Sequence, residues 1–277
     1  MTSSSTSQAV LSEDQLAQFD EQGYVIIKGA LSREDAEAYR QLILSMVPPS
    51  LEIPPHWGSH DGRIKPMVGP DNQTFDTPEL LPLMTNERLY RAAGEVLQSD
   101  ALRVMDGSVG ITLRNDGHHD HPLSQTLHLD ASVPTTADDF TFALPELQIG
   151  GCYYLTDVEP NGGGIHVVPG GHKIVEAEAR AAGGGGRHLH RDWKQIEHLE
   201  SVEVTGEAGD FALLHHLMPH GASHNRNPTA RVAYFVRWVR EDQTWGAGAK
   251  PAPGRYDEAQ LAAMGDLGRK LFGVEDW

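Results

Sequence analysis

The sequence predicts a mainly β fold of the α+β class, with an α-rich N-terminal third packed on one sheet of a sandwich or barrel. Three observations carry this. Helix start and stop signals cluster before residue 98. From residue 102 onward, short β-branched runs punctuated by Gly, Asn, Asp and Pro take over. Helical patterns do not alternate with those runs, which disfavours a doubly wound nucleotide-binding sheet.

Residues 1–11 are rich in Ser and Thr and have neither a basic nor an apolar stretch, so they read as a disordered tail and not as a signal peptide. Ser12-Glu13-Asp14-Gln15 combines an N-cap, first-turn acids and a Gln at the third helical position. With Gly23 as the stop, this predicts a helix over 13–21. Tyr24 to Lys28 is β-branched and predicts a strand. Ser32 caps a second helix whose apolar stripe is Ala36, Tyr39, Ile43 and Met46, ended by Pro48-Pro49. Residues 50–78 lack periodicity, and 78–97 turns helical again through Leu80, Leu81, Leu89 and Val96. Strand-like runs follow at 102–104, 109–113, 125–129, 148–155, 165–168, 202–204, 211–214 and 231–239. Gly162-Gly163-Gly164 reads as a turn between strands, 181–186 as a surface loop and 256–272 as a terminal helix. With no repeat and no linker, 12–277 reads as one domain.

The 277 residues include 22 basic and 39 acidic side chains, a net charge of −17. That balance opposes binding to phosphate backbones, so nucleic acid is excluded as a partner. No apolar run approaches the ~18 residues of a membrane span. The single cysteine, Cys152, has no internal disulfide partner, which fits a cytoplasmic protein. The expected partner is a small molecule.

Fifteen histidines stand out, and His128-Leu129-Asp130 is the informative group. On a strand, positions i and i+2 project to one face, so His128 and Asp130 can chelate a metal together. A third ligand from another strand, for which His220 is the candidate, would complete the two-His-one-carboxylate face that holds Fe(II) and leaves three positions for small molecules and O₂. Alone, His-x-Asp arises often by chance, and a strand histidine is commonly just a satisfied polar residue.

Context changes that weighting. Phe19-Asp-Glu-Gln-Gly-Tyr24, His128-x-Asp130, Asn161-Gly-Gly-Gly-Ile-His-Val-Val-Pro-Gly-Gly-His172-Lys173 and Gly209-Asp210 through Pro219-His220-Gly221, with Arg231 eleven residues beyond His220, occur in that order. The ordered set resembles the phytanoyl-CoA dioxygenase-like family of Fe(II)- and 2-oxoglutarate-dependent oxygenases over most of the chain. The resemblance implies a double-stranded β-helix, or jelly roll. It implies that His128, Asp130 and His220 hold the iron and that Arg231 grips the distal carboxylate of 2-oxoglutarate. That role suits arginine, whose planar fork meets a carboxylate with two parallel hydrogen bonds. Ala222 stands where some members have a serine that helps hold the cosubstrate. The retained Asp130 fills the position that iron halogenases vacate for chloride, so halogenation is not expected. The implied reaction consumes 2-oxoglutarate and O₂, releases succinate and CO₂, and oxidises the substrate by hydroxylation, desaturation or ring closure.

Other residues compete for roles. His119, in the loop Gly117-His-His-Asp-His121, shares the i, i+2 spacing with His121, but flanking Asn, Asp, Gly and Pro mark an exposed loop that at most contacts substrate over the barrel mouth. His215 and His216 precede His220, but the run from Phe211 reads as a strand and Pro219 opposes a helical zinc pattern. His166 and His172 read as structural. Arg237 shares the face of Arg231 by alternation and is a substrate candidate, with pairing to a carboxylate at the mouth as the competing reading. Trp57, with His56 and Lys65, is a candidate for the substrate entrance. Sixteen Arg against six Lys suggest a GC-rich genome, where such enzymes often tailor natural products. Some members of the family it resembles oxidise sugar-derived antibiotics, so the resemblance implies a sugar-derived or aminoglycoside substrate, and the acidic surface could steer a cation. The alternative is a metal-stabilised β-sandwich that binds a ligand without redox chemistry. Arg231 discriminates the two, since a pure binding module needs no cosubstrate anchor.

Overall fold

The computed structural model describes residues 9–47, 63–64 (as backbone), 77–114, 127–129, 142–182, 199–243, 251 and 253–277. In chain order the elements are α1 (Glu13–Gln22), β1 (Tyr24–Ile27), α2 (Arg33–Ser45), β2 (Arg63–Ile64), α3 (Leu81–Met84), α4 (Glu87–Leu97) and β3 (Leu102–Thr112). After a short 3₁₀ turn come β4 (Gln148–Tyr154), β5 (Ile165–Val167), α5 (Gly171–Ala181), β6 (Val202–Val204), β7 (Phe211–His215), β8 (His220–Ala222), β9 (Arg231–Arg240) and α6 (Glu258–Leu271).

Local chemistry sets most boundaries. Ser12 and Gln15 form a reciprocal capping box at the start of α1, and Asp257 and Gln260 form another on α6. Gly23 ends α1 at φ 80°, and a Cβ there would come within 2.4 Å of both His172 Nδ1 and Met218 Cε. The position needs glycine twice over, for its left-handed backbone and for the close approach. Val10 and Leu11, expected within the tail, are packed instead: they donate their N–H groups to the Glu95 carboxylate, and Leu11 is buried.

The strands form two antiparallel sheets. Six are ordered β1-β7-β4-β9-β3-β2 and three β6-β5-β8. The larger sheet is covered on both faces, which is why all seven residues of β4 are buried. On β9, Val232, Tyr234, Val236 and Trp238 face the main core under the helices. Ala233 faces the other way, into a smaller core with Tyr154, Ile165, Val167 and Leu214 between the sheets, and Phe235 packs against it. β3 is one strand where two runs were expected. Its Met105-Asp106 stretch is a bulge in the register between Val104 and Gly107. No helix among the described residues is long and apolar enough to cross a membrane.

Candidate functional site

Two of the three expected metal ligands meet between the sheets. His128 and His220 exchange backbone hydrogen bonds as an isolated antiparallel bridge, N to O 2.8 and 3.0 Å, which brings their rings to 4.5 Å between centroids. The His220 Nδ1 lies 2.9 Å from the Met218 carbonyl. A carbonyl only accepts, so Nδ1 carries the proton and Nε2 keeps its lone pair. This is the arrangement by which a backbone oxygen orients a metal-binding imidazole. Asp130, Trp57 and His119 lie outside the described residues, which contain no cluster of three or more potential metal ligands.

Arg231 opens β9 and is 1% exposed. Its Nε donates to the Gly163 carbonyl at 2.8 Å and its Nη1 to Gly110 at 3.5 Å, while Nη2 is buried with no partner among the described residues. The local fold explains the placement. Gly163 has φ 80°, and a Cβ there would meet Asn225 and Thr112 side-chain atoms at 2.9 Å. Asn225, fully buried, donates to the Thr112 and Thr229 carbonyls at 3.0 and 2.8 Å and accepts from the Asn227 N–H, tying the turn before β9 to the end of β3.

His128, His220, Arg231 and Arg237 line one cavity of about 100 Å³, together with Ser108, Ile165, Ala222 and Phe235. The expected alternation along β9 holds, with Phe235 between the two arginines. The guanidinium carbon of Arg231 is 5.9 Å from the Phe235 ring centre. A larger cleft of about 650 Å³ near Arg33, Asp157 and Thr229 lies elsewhere, and Arg33 there is paired with Asp157 at 2.8 Å.

Two further described histidines, His172 and His215, serve the framework. His172 Nε2 donates to the Asp20 carbonyl at 3.1 Å, and its ring lies 4.7 Å from that of His215. His215 Nδ1 accepts from the Leu217 N–H at 3.1 Å, which shapes the turn leading to His220. Burial lowers the His172 pKa and pushes His215 well below the ordinary imidazole range, with neighbouring His172, His216 and Lys173 adding to the effect on His215. His215 ends β7, so the helical zinc pattern is excluded. The sequence alone assigns no site role to Gly163 or Asn225. The Gly162-Gly163-Gly164 run reads as a turn and as part of the family motif, and what it hides is the Gly163 carbonyl that holds Arg231.

Among solved structures, the fold is similar to that of SnoK, a non-haem α-ketoglutarate-dependent carbocyclase from nogalamycin biosynthesis (TM-score 0.58, 22% identity, 85% of this chain and 87% of that one). It is also similar to SnoN, an α-ketoglutarate-dependent epimerase from nogalamycin biosynthesis (0.54, 20%, 89% and 91%). A third similar structure is HygX from Streptomyces hygroscopicus with nickel and 2-oxoglutarate bound (0.54, 19%, 84% and 88%). A search of curated protein sequences finds no match. These likenesses show the fold, the jelly roll these structures share. Residues 19–233 match the model of the phytanoyl-CoA dioxygenase (PhyH) family, and the chain belongs to that family. It is a 2-oxoglutarate-dependent dioxygenase using Fe(II) and O₂, which sets aside the non-redox binding protein.

Proposed function

We propose that this protein oxidises a small, sugar-derived molecule in natural-product biosynthesis, by hydroxylation or by oxidative ring closure or desaturation. His128, Asp130 and His220 hold Fe(II), and Arg231 anchors the far carboxylate of 2-oxoglutarate. Residues 12–277 work as one catalytic domain, with the N-terminal helices as an outer layer on the larger sheet. The observation that carries the reading is the unpaired, buried Nη2 of Arg231 in the same cavity as the two histidines. A buried donor without a partner is costly, about 1–3 kcal/mol and more when charged, and a ligand carboxylate removes that cost.

When bound, Fe(II) and 2-oxoglutarate together with O₂ supply the oxidising chemistry that takes a hydrogen atom from the substrate. The chain's own contribution is preorganisation. The Met218 carbonyl fixes the His220 tautomer and leaves Nε2 as the ligand atom. The Gly163 and Gly110 carbonyls hold two guanidinium nitrogens, so the fork is oriented before a carboxylate arrives. The apolar walls given by Ile165 and Phe235 keep water away, which strengthens these charge-assisted bonds.

Anaerobic addition of Fe(II) and 2-oxoglutarate should give the weak visible charge-transfer band of the chelate. Absence of the band in the native chain contradicts the assignment.

A further inference from the structure

We propose that Arg237 recognises the primary substrate and that the group it takes is an oxyanion, a carboxylate or a phosphate. This rests on the reading of the cavity as the oxygenase centre. Arg237 lies on the cavity face of β9 with Arg231, and both line the cavity that His128 and His220 share. Six residues of strand put their Cα atoms about 20 Å apart, and the side chains approach from opposite ends. The ends differ in access. Arg231 is buried and Arg237 is half-buried, so a cosubstrate held by Arg231 leaves the Arg237 end to a second molecule.

The sheet is cut back to make this lane. Gly150 on β4 is paired with Arg237, and a Cβ there would approach the Arg237 Cγ to 2.9 Å. Gly110 on β3 is paired with Ala233, and a Cβ there would meet the Phe235 ring at 2.9 Å. Two glycines on two neighbouring strands thus let the Phe235 ring and the Arg237 stem lie along the cavity wall. Arg237 also has a contact within the protein. A guanidinium has five N–H donors in a fixed fork, so it can keep that contact and still take ligand oxygens. No described residue lining the cavity is acidic, and Asp130 is assigned to the iron. Two guanidinium groups on one cavity wall repel an ammonium group, which points away from an aminoglycoside and toward a sugar acid or sugar phosphate.

The test uses four probes that share one ring: glucose, glucosamine, glucuronate and glucose 6-phosphate. Each is titrated into the anaerobic Fe(II)- and 2-oxoglutarate-loaded protein, with the shift of the visible band and calorimetric binding as readouts. Glucuronate or glucose 6-phosphate should bind and shift the band, and which of them does so tells carboxylate from phosphate. Arg237→Gln should weaken that binding at least tenfold, and Arg237→Lys should recover part of it, a rescue that a purely structural role does not produce. The inference is overturned if glucosamine binds as well as the anions, if neither anion binds, or if Arg237→Gln binds them unchanged. Loss of the band in the native chain before any probe is added refutes the oxygenase centre instead.

Discussion

The two faces of β9 are built from one alternating sequence and do opposite work. One face places Val232, Tyr234, Val236 and Trp238 in the main core, where Trp238 is fully buried. The other places Arg231, Phe235 and Arg237 along a cavity where the buried Nη2 of Arg231 has no partner among the described residues. The first face stabilises the molecule by apolar burial. The second carries polar cost that only bound molecules relieve, so stability and function should separate by residue parity.

Substitutions can break that separation if it is wrong. The largest effect should come from the core side. Trp238→Ala should cost about 3–5 kcal/mol in urea unfolding, as expected for a large aromatic removed from a packed core. Gly151→Ala should be comparably damaging, because its Cβ would lie 1.9 Å from the Ala212 carbonyl oxygen and force β4 from β7. Its neighbour Gly150 is the matched control. The new Cβ of Gly150→Ala meets mainly the Arg237 stem, so unfolding should shift by only about 1 kcal/mol, at the low end for overpacking. If the two glycine variants lose equal stability, the faces are not distinct.

A smaller effect concerns the turn between β7 and β8, which carries the chain from the core side to His220. His172 and His215 have depressed pKa values because burial favours the neutral ring. The unfolded chain takes up protons below about pH 6.5 while the folded chain resists. Stability is therefore full above that pH and falls as pH drops through it, by up to ~1.4 kcal/mol per pH unit for each histidine. Thermal midpoints measured from pH 7.5 to 5 should decline in the native chain and decline less in His215→Asn. A flat native profile would remove these rings from the account.

Much of the fold is legible in local chemistry. The capping boxes at Ser12 and Asp257 and the stop at Gly23 mark helix ends because their hydrogen bonds are local. α5 is hidden because Pro169-Gly170-Gly171 reads as a turn, and the helix begins immediately after Gly170, in a left-handed conformation. β8 is hidden because His220-Gly221-Ala222 has no β-branched residue and owes its pairing to β5. The site divides in the same way. His128 follows from the i, i+2 spacing with Asp130, and Arg231 from the family resemblance. The hold of Asn225 on two distant carbonyls and the unpaired Nη2 are tertiary facts with no local trace.

The central claim is that the buried guanidinium of Arg231 waits for the 2-oxoglutarate carboxylate. Titration of 2-oxoglutarate into the anaerobic Fe(II)-loaded protein, read by the visible band, tests it directly in the native chain and in Arg231→Gln. Removing one partner of a buried charge pair costs about 2–5 kcal/mol, so the dissociation constant should rise on the order of a hundredfold while Fe(II) binding holds. An unchanged dissociation constant in Arg231→Gln would contradict the account.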